Sequence, residues 1–188
     1  MVAYRYQTIV QLNGITSNPN TGTSEALSLY YSTSPTINTL YEDYIRYPLV
    51  QSSEVDVNQD GLIDRLELNI QMPLQSYEEI HSINCFVYHN VQFNGKTKML
   101  IDTGSYFSYS HALPMGSLTV EGDLEFKQTW PLSSKGGYVV PYESDPLLPT
   151  TLEYSASTVS SSDVSLKSIM KRYTSRNCKS LYIELCVI

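Results

Sequence analysis

The run Asp56-Val57-Asn58-Gln59-Asp60-Gly61-Leu62-Ile63-Asp64-Arg65-Leu66-Glu67 holds the residues whose types and spacing point most directly to chemistry. Oxygen-bearing side chains stand at positions 1, 3, 5, 9 and 12 of a twelve-residue loop, with glycine at position 6. Calcium takes about six to eight oxygen ligands, and this spacing wraps them around a hard divalent cation. Asp56, Asn58, Asp60, the Leu62 carbonyl, Asp64 and Glu67 are the candidate metal ligands, and Gly61 allows the turn that aims them inward. The alternative is an Asn-, Asp- and Gly-rich turn that binds nothing.

Other residues offer weaker chemistry. Met99-Leu100-Ile101-Asp102-Thr103-Gly104-Ser105 looks like an aspartic-protease signature, in which two aspartates share one proton. The chain has one such motif, so a dyad needs a second chain, and no later apolar-apolar-Gly segment supports it. The competing reading is a hairpin strand that ends in a turn at Asp102-Thr103-Gly104. His81, His89 and His111 show no metal-ligand spacing and read as surface or partly buried histidines. No Ser-His-Asp order, phosphate loop or Cys-x-x-Cys pattern occurs, and the chain reads as a non-enzyme. Lys167, Lys171, Arg172, Arg176 and Lys179 either bind an acidic partner or form the solvated face of a helix.

The elements around the loop decide what it does. An EF-hand loop joins two helices. Here Pro48 to Val55 shows no helical period, and Leu66, Leu68, Ile70 and Met72 alternate with Glu67, Asn69 and Gln71, a strand with one apolar face. The loop therefore introduces a strand, as in the integrin-type calcium loops of extracellular β proteins, and acts as a structural clip.

Further strands are expected at Tyr4 to Leu12, Ala26 to Tyr31, Ile83 to Phe93, Thr97 to Tyr109, Leu118 to Trp130 and Leu181 to Ile188. Asn94-Gly95 marks a tight hairpin, Asn13 to Thr23 a loop, Lys135-Gly136-Gly137 a turn, and Thr33 to Tyr47 is ambiguous. Leu166, Ile169, Met170 and Tyr173 follow a helical period. Ser162 or Asp163 can cap that helix, and Lys171, Arg172 and Arg176 suit its end. The sum is a mainly β fold, an antiparallel β-sandwich with one α-helix near the C-terminus.

Composition narrows the classes. The 188 residues suit a single domain, 1–188. A net charge of -7 argues against nucleic acid and anionic membrane surfaces as partners. The 16 tyrosines favour strands. Cys85, Cys178 and Cys186 make no disulfide framework, though Cys178 and Cys186 can pair in an oxidising compartment. No apolar run reaches the roughly 18 residues of a membrane span, and no signal peptide is visible at Met1 to Tyr6.

A wider pattern then emerges. Arg46-Tyr47-Pro48-Leu49-Val50, Asn58-Gln59-Asp60-Gly61 with Asp64, and Met72-Pro73-Leu74-Gln75-Ser76 resemble, in order, the central signature of the transmembrane protein 231 family. Leu118 to Leu124, Pro131-Leu132-Ser133, Gly136-Gly137 and the helical stretch Asp163 to Asn177 continue the match, which covers the chain from about Tyr4 onward. The resemblance implies a protein with two membrane spans and a β-rich extracellular or lumenal domain between them, to which this chain corresponds. It implies membership of the Meckel-syndrome, tectonic-type complex at the ciliary transition zone. The partners would be other transition-zone membrane and tectonic-type proteins, and the roles the ciliary diffusion barrier, cilium assembly and Hedgehog signalling. The shared pattern lacks Glu67 and Asp102-Thr103-Gly104, which implies that Asp56, Asn58, Asp60 and Asp64 are the core ligands. The alternative is a calcium-stabilised cell-surface or secreted binding or adhesion module, whose tyrosines would stack on sugars or partner surfaces.

Overall fold

Period-two patterning dominates the sequence, and the fold follows it. The computed structural model describes residues 2–61, 63–94, 98–128, 137–141, 165–176 and 181–187. In chain order its strands are β1 (Val2–Ser17), β2 (Ser24–Ser32), β3 (Leu49–Val55), β4 (Arg65–Gln71), β5 (Glu78–Asn94), β6 (Lys98–Ser110), β7 (Gly122–Gln128) and β8 (Leu181–Val187). Between β2 and β3 lie helix α1 (Pro35–Leu40) and a 3-10 turn (Glu42–Tyr44); helix α2 (Leu166–Ser175) precedes β8. The strands form a four-stranded sheet, β2-β1-β5-β6, and two ribbons, β3-β4 and β7-β8, all antiparallel.

The four-stranded sheet is covered on both faces. On one face Ile9, Tyr30, Phe86 and Tyr88 pack with Ile37 of α1 and with Leu166 and Ile169 of α2. On the other, Val10, Leu12, Leu29, Ile80, Cys85 and Val87 pack against Leu66, Leu68, Ile70 and Met72 from the β3-β4 ribbon and its exit. One sheet therefore lies on another, as expected, with helices as an outer layer on the far side. Phe86 and Tyr88 are almost fully buried, and each such side chain contributes on the order of 2–3 kcal/mol through its area removed from water.

Several boundaries differ from the sequence reading. β1 runs past Leu12 to Ser17, because its pairing with β5 slips by one residue between Asn13↔Ser82 and Gly14↔Ile80. That bulge takes up His81 and returns Ile80 to the core shared by Cys85 and Val87. The hairpin turn is therefore confined to 18–23, closed by Asn18 N–H to Thr23 O at 2.9 Å. The ambiguous Thr33 to Tyr47 stretch holds α1, opened by Pro35 at a position where proline's missing N–H costs nothing. The strand expected from Leu118 starts only at Gly122, so Leu118 and Val120 lie before it. Helix α2 is capped by Ser165, whose hydroxyl accepts from Ser168 N–H, and not by Ser162 or Asp163. Ser162, Asp163, Gly95, Trp130 and Cys178 lie outside the described residues, so the Cys178–Cys186 pairing does too.

The strand expected at Thr97 to Tyr109 is present, and the competing reading of a turn at Asp102-Thr103-Gly104 is corrected. β6 passes straight through these residues, paired without a break from Asn94↔Lys98 to Ser82↔Ser110. Gly104 sits where the Phe86 ring crosses β6: a Cβ there would lie 2.1 Å from Phe86 Cζ. Glycine is required because an aromatic ring occupies the side-chain space. Replacing Gly104 by alanine is expected to cost about 2–3 kcal/mol by forcing Phe86 off its site. A urea midpoint within error of the parent chain would contradict this.

Candidate functional site

The β3–β4 loop gathers four of the six expected ligands. Gln59 and Gly61 adopt left-handed backbone conformations, with φ of 59° and 83°. The loop amides consequently turn inward onto its own side chains. Gly61 N–H donates to Asp56 Oδ2 at 2.8 Å, and Asp60 N–H to Asn58 Oδ1 at 3.0 Å. The Val57 and Asn58 N–H groups donate to Asp64 Oδ2 at 3.0 and 3.3 Å, and Asn58 Nδ2 to Asp60 Oδ2 at 3.1 Å. Asp56, Asn58, Asp60 and Asp64 thus share one closed loop. Glu67 stands apart on the exposed side of β4, opposite Ser53, with Oε1 2.7 Å from Arg65 Nη2. Leu62 lies outside the described residues. Among the described residues no three His, Cys, Asp or Glu side chains are arranged to hold a metal ion; the loop carboxylates are turned toward backbone N–H groups instead.

The protease-like motif is built into the sheet. Asn90 Nδ2 donates to Asp102 Oδ1 at 2.7 Å across the β5–β6 pair. The Asp102 carbonyl accepts from Arg176 Nη1 at 2.9 Å, and Thr103 Oγ1 lies 3.0 Å from the Tyr173 hydroxyl. The motif therefore ties β6 to the end of α2. The three histidines are not brought to one place. His89 is buried and 2.9 Å from Ser105 Oγ, and burial pushes its imidazole down to about 4, so it is neutral at pH 7. His81 lies eight residues away along β5, roughly 26 Å at strand rise. There its carbonyl accepts from His111 N–H at 2.9 Å. Burial pushes the Cys85 thiol up to about 12, so it is an inert core residue.

One constellation left no local signal in the sequence. Arg46 Nη2 donates to Glu78 Oε1 at 2.8 Å, Nη1 donates to the other Glu78 oxygen, and Nη1 also reaches the Pro73 carbonyl at 3.0 Å. Glu78 Oε2 accepts from Gln75 N–H at 2.8 Å, and Arg46 N–H donates to the Tyr30 carbonyl on β2 at 3.0 Å. This clamp joins Arg46-Tyr47-Pro48 to Met72-Pro73-Leu74-Gln75, two segments that carried the family resemblance. The hydrogen bond from Arg46 holds the Glu78 carboxyl below the usual carboxylate range, against the opposing effect of burial. In the flanking segments Tyr47, Leu49, Leu74 and Tyr77 stand exposed. A 32-residue separation between the partners hides such a pair from any local pattern.

The fold and these gathered residues define an antiparallel β domain held by cross-strand polar pairs and a bidentate ion pair. Known proteins add the family. A sequence-family model described as Transmembrane protein 231 matches residues 1–184, and the chain belongs to that family. It is 31% identical over 156 residues to transmembrane protein 231 of Bos taurus, covering 83% of this chain and 47% of that protein. It is 35% identical over 108 residues to the Rattus norvegicus protein, covering 57% of this chain and 34% of that one. With the Gallus gallus protein it shares 28% identity over 97% of this chain and 55% of the relative. The chain spans about half the length of the curated relatives it matches over most of its own residues. No solved structure gives a significant match.

Removing one side of the clamp strands a largely buried partner. Glu78→Ala is expected to cost about 2–3 kcal/mol at pH 7, less than for a fully buried pair because Arg46 keeps some solvent. Glu78 has a lowered folded-state pKa, so its contribution is complete above the unfolded carboxylate range and is lost as pH falls through the folded value. Urea unfolding of parent and variant should converge in acid. A pH-independent difference would show that the ion pair is not the source.

Proposed function

We propose that this chain is the β-rich domain of a non-enzymatic, membrane-tethered scaffold of the ciliary transition zone, facing the extracellular or lumenal side. Family membership across residues 1–184 carries the reading, and the relatives are named transmembrane proteins. Among the described residues no helix is long and apolar enough to cross a membrane; the tether in this proposal comes from spans outside them. The domain docks other transition-zone membrane and tectonic-type proteins, and in doing so contributes to the diffusion barrier, to cilium assembly and to Hedgehog-type signalling. The absence of an enzymatic role is supported by Asp102, which lies inside a paired strand with its carboxylate engaged by Asn90. A second reading, a surface or secreted binding module, is favoured by the exposure of Tyr44, Tyr47 and Tyr77; binding on a glycan array would support it.

Calcium is part of the proposal. Asp56, Asn58, Asp60 and Asp64 would hold the ion, with the Leu62 carbonyl, and the ion would clip the start of β4. It supplies no chemistry beyond neutralising three carboxylates and rigidifying the hairpin. A ligand bound only to the native state at about a hundredfold above Kd adds roughly 2.7 kcal/mol.

Two measurements test these readings. The complete tagged gene product should form a ring at the base of the cilium in a ciliated cell; an even surface signal or secretion would reject the transition-zone reading. Asp60→Ala should lower Tm by about 5–10 °C in calcium and leave it unchanged in chelator, while Glu67→Ala should keep the calcium response. Equal losses in both media would remove calcium from the account.

A further inference from the structure

β3 is a seven-residue strand with a single partner, β4. Leu49, Gln51, Ser52, Ser53 and Glu54 are all exposed. Alternate backbone N–H and C=O groups of an edge strand point away from its neighbour, and among the described residues no backbone hydrogen bond reaches those of Leu49 to Glu54. The edges of the four-stranded sheet are treated differently. β2 is met by Arg46 N–H on the Tyr30 carbonyl. β6 is met by Val139, which bonds Leu100 N–H and the Lys98 carbonyl, and by Arg176 on the Asp102 carbonyl. Edge strands that must stay unpaired usually carry lysine, proline or a bulge. Leu49-Val50-Gln51-Ser52-Ser53-Glu54-Val55 has none of these, its one charge is Glu54 opposite Leu66, and its pairing with β4 is regular throughout.

The edge is also polar in a directional sense. At its start Tyr47 and Leu49 are 67% and 56% exposed. At its end stand Glu54 and Asp56, leading into a hairpin tip with Asp60 and Asp64, where the single base Arg65 is already paired with Glu67. A second copy of this chain that added its own β3 would bring no cation to that end, because residues 47–56 hold no Lys or Arg.

We propose that the outer edge of β3 is a strand-addition site for an extended segment of a partner protein. That segment is apolar beside Tyr47 and Leu49 and carries Lys or Arg beside Glu54 and Asp56. Its backbone satisfies the open edge, its alternate side chains give specificity, and the two-stranded ribbon becomes a three-stranded sheet, the smallest that is independently stable. The inference rests on the scaffold reading only in assuming that the domain has a protein partner.

The test uses the whole chain, isotopically labelled, and three blocked seven-residue peptides. The first has Leu and Val at one end and Lys at the other, the second has Glu in place of Lys, and the third is the Lys peptide N-methylated at alternate residues. Expected are saturable binding of the Lys peptide, slowed amide exchange at alternate β3 residues, and a loss of about tenfold or more in affinity on N-methylation. Glu54→Lys should weaken the Lys peptide and strengthen the Glu peptide. The proposal is overturned by equal binding of the N-methylated peptide, by binding confined to 56–64 that vanishes at high salt, by no saturable binding, or by self-association of the chain through β3 in sedimentation. Binding is measured in solution, so its failure leaves the ciliary placement standing, and a chain found away from the cilium leaves the edge site standing.

Discussion

The structure depends on β5 being covered on both faces. Every residue from Cys85 to Val91 is buried, which forces an apolar layer on each side and leaves no water for any polar group caught between. The helices meet this demand on the Phe86 and Tyr88 side, and the β3-β4 ribbon meets it on the Cys85 and Val87 side. A buried polar side chain without a partner costs several kcal/mol, so His89 and Asn90 must be satisfied locally. Ser105 and Asp102 on β6 are placed to do so. The pairing of β5 with β6 is therefore held by backbone hydrogen bonds and by side-chain pairs that a slip of one residue would break.

That demand explains the protease-like motif. Asp-Thr-Gly suits catalysis when it sits in a loop facing its twin. Here the same three residues solve packing problems in a strand: Asp102 pairs with Asn90, Thr103 meets Tyr173, and Gly104 makes room for Phe86. Short motifs carry chemistry only in the right structural context, and the context here is the interior of a sheet. The Arg46–Glu78 clamp is the opposite case. Neither residue signals its partner in the sequence, yet together they fix the strap between β4 and β5 against the edge of β2. A bidentate guanidinium–carboxylate pair defines an orientation as well as an energy.

The ribbon β3-β4 has two sides with different fates. β4 turns Leu66, Leu68 and Ile70 into the core, while β3 overhangs into solvent with an acidic tip at one end and exposed Tyr47 and Leu49 at the other. The clamp anchors the root of the ribbon and the loop closes its tip, so the overhang is held at both ends.

Local patterning by itself marked most of the strands, though not β3. Alternation marked β4 and β5, the Asn94-Gly95 hairpin signal marked β6 as the return strand, the i, i+3, i+4, i+7 series marked α2, and ligand spacing marked the 56–64 loop, because each is set by neighbours within a few residues. Segment order over more than a hundred residues also sufficed to point to the family. Only the tertiary structure decided the extension of β1 through the bulge at His81, the start of β7 at Gly122, the separation of Glu67 from the loop acids, and the Arg46–Glu78 clamp. All four depend on which distant strand lies alongside. Glu67 is the clearest instance: the register of β4 with β3 sets it opposite Ser53 and its carboxylate beside Arg65. Sequence spacing specifies what a loop can do, and the strand that follows it decides which side chains point there.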